Sequence, residues 1–161
     1  MQRRRCVEAI VGRERGQAMV ETALSMVAVL VLLLGMVDFG IAFGYRVALD
    51  QAPRGGARFG SRLPQETVLI TNAIVDSLKG TLVLASDYDH TATPDPELHI
   101  AIACEDGGIP IACGEVPRGR HIIVTVGYDY QPLFGGFLGI AELPISSQTT
   151  MYVIGGDLLE P

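Results

Sequence analysis

Residues 15–40 read RGQAMVETALSMVAVLVLLLGMVDFG, and residues 22–37 carry no charged side chain. Residues 19–37 form a run of nineteen with one acid, Glu21, near its start. At ~1.5 Å rise per residue such a helix is roughly 28 Å long, close to the ~30 Å hydrocarbon thickness of a bilayer. A run this free of polar interruption is expected to cross a membrane rather than fill a soluble core. It also accounts for most of the excess in a mean hydropathy of +0.34. A secretory signal peptide would have a shorter apolar core, about 7–15 residues, followed by a small-residue cleavage site. Here the core is longer and Asp38-Phe39-Gly40 follows it, with Gly40-Ile41-Ala42 as a weak alternative site.

Charge is distributed around this run unevenly. Of twelve basic residues, five (Arg3, Arg4, Arg5, Arg13 and Arg15) lie in the first sixteen positions, against two of eighteen acids, Glu8 and Glu14. The positive-inside tendency then puts the N-terminus in the cytoplasm and the rest of the chain outside. Beyond residue 16 there remain seven basic and sixteen acidic residues, a net charge of −9. Nucleic acid is excluded as a partner, because affinity for phosphate chains comes mainly from Lys and Arg. Cysteine placement agrees with export. Cys6 stays with the basic leader, and the exported part keeps an even pair, Cys104 and Cys113.

The junction before the span is the sharper signal. A basic leader ends at Gly16, Gln17 follows, and Glu21 falls five residues after the glycine, inside the apolar run. A carboxylate at the middle of a membrane helix costs about 2.5–3.5 kcal/mol on insertion scales, and less near the interface, so such residues usually mark function. The pattern resembles the class III signal of type IV prepilins and pseudopilins. That resemblance implies cleavage by a prepilin peptidase between Gly16 and Gln17, on the cytoplasmic side. The freed amine of Gln17 on a neighbouring subunit would then pair with Glu21 during docking, offsetting the desolvation of both charges. Gln17 and Thr22 stand where major pilins commonly carry aromatics, which points away from a major pilin.

The stretch VLLLGMVDFGIAFGYRVALDQAPRGGARFGSR continues the theme through Gly35, Asp38-Phe39-Gly40, Phe43, the alanines at 48 and 52, and Gly56-Ala57-Arg58. Over residues 16–62 it is similar to TadE-like proteins, the minor pseudopilin class of tight-adherence systems. The resemblance implies a minor pilin or pseudopilin of a Flp-type pilus or type II-like secretion assembly. It would be anchored in the cytoplasmic membrane and would work with a prepilin peptidase, other pilins and the pilus assembly machinery. The competing reading is a single-pass envelope protein whose exported domain binds a ligand or partner. Residues 1–16 are expected to be a leader, 17–62 a transmembrane helix and stalk, and 63–161 the exported domain. Gly40-x-x-x-Gly44 and Gly56-x-x-x-Gly60 each put two small residues on one helix face, where another helix could pack. Pro53 is expected to kink or end the helix, with a hinge at Gly55-Gly56.

The exported part changes period along its length. Pro64 suits a first helical turn, and 65–79 reads as a second helix with Ile70, Ile74 and Leu78 as its apolar stripe and Gly80 as its stop. Residues 87–96 (DYDHTATPDP) are a polar loop. Alternation then marks strands at 98–104, 121–130 and 144–154, with a short strand-like return at 109–112. The expected architecture is therefore α+β and pilin-like: a long transmembrane helix continuing as a stalk, a short helix, and a small antiparallel sheet. Cys104 and Cys113 are placed to close a small bridge, with two free buried thiols as the alternative. No catalytic or metal constellation is legible, and no cofactor is implied. His90, His99 and His121 are scattered, with the latter two expected to face solvent, and Asp87, Asp89 and Asp95 lack the spacing of a calcium loop. The sequence reads as a structural protein and not an enzyme.

Overall fold

The computed structural model describes the backbone of residues 2–155 and the side chains of 16–136 and 139–155. The leader arginines and Cys6 fall outside the described side chains. The chain divides into two compact units, Met1–Gly40 and Ile41–Pro161.

The first unit is helical throughout its described length, as part of α1 (Gln2–Gly60). Leu, Ala and Met favour this state. Residues 16–37 are all exposed. The stretch Gly16–Gly60 is long and apolar enough to cross a membrane, and none of its most apolar window is buried.

The second unit contains the end of α1, then α2 (Thr67–Leu78), β1 (Leu98–Asp106), β2 (Ile109–Ile111), β3 (His121–Tyr130), α3 (Gly135–Leu138) and β4 (Leu143–Tyr152). One four-stranded antiparallel sheet runs in the order β2-β1-β3-β4. The expected α+β order is thus the one observed. In β3 the alternation is complete: Ile122, Val124, Val126, Tyr128 and Tyr130 are buried, and the residues between them are only half so. Leu49, Ala52 and Ala57 of α1 join Ile70, Ile74, Val75 and Leu78 of α2 and this sheet face in one core. Each such Leu or Ile side chain, when fully buried, contributes about 1.5–3 kcal/mol.

Several boundaries differ from those read in the sequence. Helix α1 does not end at Pro53 but runs on to Gly60. An interior proline removes one backbone donor, at about 3 kcal/mol. Here Pro53 is itself fully buried between Leu49 and Ala57, so packing offsets the loss. Gly55-Gly56 accordingly lies within the helix rather than forming a break. Pro64 does not open α2. It lies in a turn closed by the Glu66 amide donating to the Leu63 carbonyl at 3.2 Å, at the position where a fixed φ suits a turn.

Strand β1 extends two residues beyond Cys104 because Glu105 and Asp106 pair with Pro110 and Ile109 in a hairpin. Its two-residue turn puts Gly107 at φ 61° and Gly108 at φ 88°, a left-handed pair that glycine adopts without steric cost. The bridge is formed: Cys104 and Cys113 are disulfide-bonded with Cα atoms 5.2 Å apart. It fastens the hairpin to the buried end of β1. The stretch just after β4 is tied back to the residue that follows α1, since the Ser61 carbonyl accepts from the Ile154 amide at 2.7 Å and the Gly155 amide at 2.9 Å.

Candidate functional site

The residues singled out at the N-terminal junction all lie on α1. Gly16, Gln17 and Glu21 are exposed, and a Cβ built on Gly16 would meet nothing within 4 Å. Gln17 and Glu21 are four apart, so they share a helix face one turn from each other. Thr22 spends its hydroxyl locally, donating to the Ala18 carbonyl at 2.8 Å. The junction is therefore an uncrowded helical glycine with a carboxylate five residues on. Its chemical capacity is access for another protein and one negative charge in an apolar run.

A Cβ on Gly40 would meet nothing within 4 Å, so that face stays open to a helix from another chain, whereas one on Gly44 would lie 2.5 Å from Leu82 Cδ1. The second glycine motif packs within the chain, because a Cβ on Gly56 would lie 2.5 Å from Ile74 Cγ1, and one on Gly60 would collide with Ile122 and Ile70. Small residues four apart on α1 thus face Ile70 and Ile74, themselves four apart on α2. That matching interval was present in the sequence. Nothing there said which helix would answer which glycines.

Beyond the apolar run, the second unit holds an aromatic cluster that sequence reading missed. The Tyr45 ring stacks on Tyr128 with centroids 5.1 Å apart and meets Tyr130 at the same distance. Tyr128 and Tyr130 are two apart on β3, so both point to the core face. Beside them is an open hollow of about 240 Å³ lined by Ile41, Tyr45, Glu97, Tyr128, Tyr130, Gln131 and Leu133. Glu97 accepts a 2.8 Å hydrogen bond from Gln131 Nε2. Burial, with the Glu97 carboxylate beside it, holds the Tyr128 phenol well above the ordinary tyrosine range.

The remaining polar residues form surface pairs. His99 Nε2 lies 2.9 Å from Asp129 Oδ2 with its side chain largely exposed, as expected of that histidine. His121 packs its ring on Tyr152 at 4.6 Å. Asp89 is bound into its own loop, its carboxylate accepting from the Thr91 hydroxyl at 2.6 Å and the Thr91 amide at 3.0 Å. Those two bonds, the hydroxyl's foremost, hold its carboxyl below the ordinary range. Among the described residues no three His, Cys, Asp or Glu side chains are grouped to hold a metal ion.

An exposed apolar stretch of helix with one acid near its start and an uncrowded glycine five residues earlier is the arrangement to compare with known proteins. Residues 16–58 match the family model of TadE-like proteins. The TadE-like segment therefore begins at Gly16, includes Gln17, Glu21, Gly40 and Gly44, and ends two residues before α1 does. No curated protein and no solved structure is significantly similar to the chain. The TadE-like match associates the segment with Tad pili and gives the apolar helix a membrane-anchoring context.

Proposed function

We propose that this chain is a minor pilin or pseudopilin of a tight-adherence pilus or related secretion assembly, structural rather than catalytic. The observation that carries the reading is Glu21 within the fully exposed and otherwise uncharged stretch 16–37, at the start of the segment that matches the TadE-like family model. A prepilin peptidase cuts between Gly16 and Gln17 at the cytoplasmic face, removing the arginine-rich leader. The helix stays in the cytoplasmic membrane as a single span, and the unit that follows is exported. The bonded Cys104 and Cys113 fit that side of the membrane, because such bridges persist in oxidising compartments.

Cleavage gives Glu21 its use. About ten residues of helix cover half a bilayer's hydrocarbon, so an acid two residues inside the run lies near the cytoplasmic boundary. There its desolvation is modest while it waits, and it is relieved when the Gln17 amine of a neighbouring subunit comes alongside. The pairing fixes the axial register of one helix against the next. Other pilins and the assembly machinery are the partners.

Replacing Glu21 by Gln tests this directly. The variant keeps the shape and removes the charge, so it inserts as the parent does while pilus assembly is lost. Normal assembly by Glu21→Gln would leave only a single-pass envelope protein with an exported binding domain.

A further inference from the structure

The hollow beside Tyr45 has no part in the pilin reading, and its lining selects one kind of ligand. It lies wholly within the second unit. Its volume of about 240 Å³ far exceeds the ~10–15 Å³ that a single water needs. Ile41 and Leu133 give it apolar walls, and Tyr45, Tyr128 and Tyr130 give it three aromatic rings. The Tyr45 ring centroid is 5.1 Å from each of the other two.

The polar lining is acidic, and its donors are already committed. The Tyr128 hydroxyl and the Gln131 amide both donate to the Glu97 carboxylate, the latter at 2.8 Å. Asp95 adds a second negative charge close enough to act on both Tyr45 and Tyr128. Among the described residues neither acid is in an ion pair. An anion would therefore meet two carboxylates and no free donor. A neutral apolar ligand would strip water from Glu97 and offer no counter-charge. A cation fits both parts of the lining. Aromatic rings attract a cation within about 6 Å of the ring centroid. An ionised carboxylate has about four lone-pair sites, so Glu97 keeps capacity beyond the two bonds it accepts. That remainder suits a single N–H, whereas the fork of a guanidinium takes both oxygens at once.

We propose that this hollow is a binding site for a primary alkylammonium group, its charged head against Glu97 and the tyrosine rings, its stem along Ile41 and Leu133. The ligand comes from outside the chain, because the one lysine present, Lys79, is already paired with Asp76 at 2.8 Å. A free amine and a lysine side chain of another protein present the same chemistry. The net −9 of the residues after position 16 draws either one in. The site is independent of the junction at Gly16 and adds a second recognition function to the exported unit.

The test uses the full chain with isotope-labelled tyrosine rings, held in an uncharged maltoside detergent and followed by NMR. It is titrated with n-butylammonium chloride and, separately, with n-butanol. Expected are saturable shifts of Tyr45, Tyr128 and Tyr130 at millimolar n-butylammonium, with none from n-butanol. Tyr152, which packs on His121, stays unshifted. Glu97→Gln weakens binding by about tenfold or more, the share of one charge-assisted hydrogen bond. Asp129→Asn removes an acid of β3 that pairs with His99 outside the hollow, and leaves binding unchanged. No saturable shift, an equal response to n-butanol, parallel movement of Tyr152, or full affinity in Glu97→Gln each overturns the proposal. The two ligands compared on the parent protein decide the matter even where Glu97→Gln fails to fold. Titration with Nα-acetyl-lysine amide then separates the sources. Saturation by it as well as by n-butylammonium upholds the site for protein lysines, and saturation by n-butylammonium alone upholds it for free amines.

Discussion

Adjacent glycines on α1 should respond to the same substitution with opposite sign. A Cβ on Gly55 meets nothing within 4 Å, whereas one on Gly56 lies 2.5 Å from Ile74 Cγ1 and 2.8 Å from its Cδ1. Replacing a helical glycine by alanine stabilises a helix by up to about 1 kcal/mol, and Gly55→Ala receives that gain alone. Gly56→Ala receives it too, but forces the Ile74 side chain from a site where it is fully buried. Overpacking of that kind costs about 1–3 kcal/mol. The two variants should therefore differ by about 1–3 kcal/mol, with Gly56→Ala the less stable. At roughly 3–6 °C per kcal/mol for a unit of this size, the difference is readable in a thermal melt followed by circular dichroism in detergent. A coupled check uses Ile74→Ala, which should cost less in the Gly56→Ala background than in the parent. A Gly56→Ala protein melting at or above Gly55→Ala would refute the close approach of α2 to α1.

Two further perturbations read other parts of the second unit. Reduction of the bridge between Cys104 and Cys113, which are nine residues apart, should cost about 2.5–3 kcal/mol from loop entropy; an unchanged melting point in protein shown by mass to be reduced would contradict this. The raised Tyr128 pKa makes the folded state bind its phenolic proton more tightly than the unfolded state does. That contribution is full below the unfolded value near pH ~10 and is lost as pH rises through the folded one. Stability should therefore fall with alkali, and Tyr128→Phe should flatten the fall; denaturant melts across that range, with phenolate absorbance followed in parallel, would detect a slope left unaltered by the substitution.

The elements with strong local signals were legible in the sequence. The alternation of HIIVTVGYDY gave β3 its bounds, and the stripe of Ile70, Ile74 and Leu78 gave α2 its buried face. Pro53 misled because its local cost is visible in one residue, while the burial offsetting it depends on α2 and the sheet. The same holds for the two glycine motifs. Spacing shows that a close approach is possible, and only the partner's position decides that Gly56 and Gly60 meet Ile70 and Ile74. The hollow around Tyr45 was invisible for a related reason: it joins α1 to β3 and the loop after β3, more than eighty residues further along the chain. The junction at Gly16 is the opposite case. Its signal is entirely local, and the TadE-like match begins there.

The account stands most directly on the N-terminus of the protein extracted from its own membrane. Intact-mass spectrometry should find a chain that begins at Gln17, lacking the arginine-rich leader. A chain still beginning at Met1, or one beginning beyond Asp38, would contradict it, since no amine would then be available at the membrane face to meet Glu21.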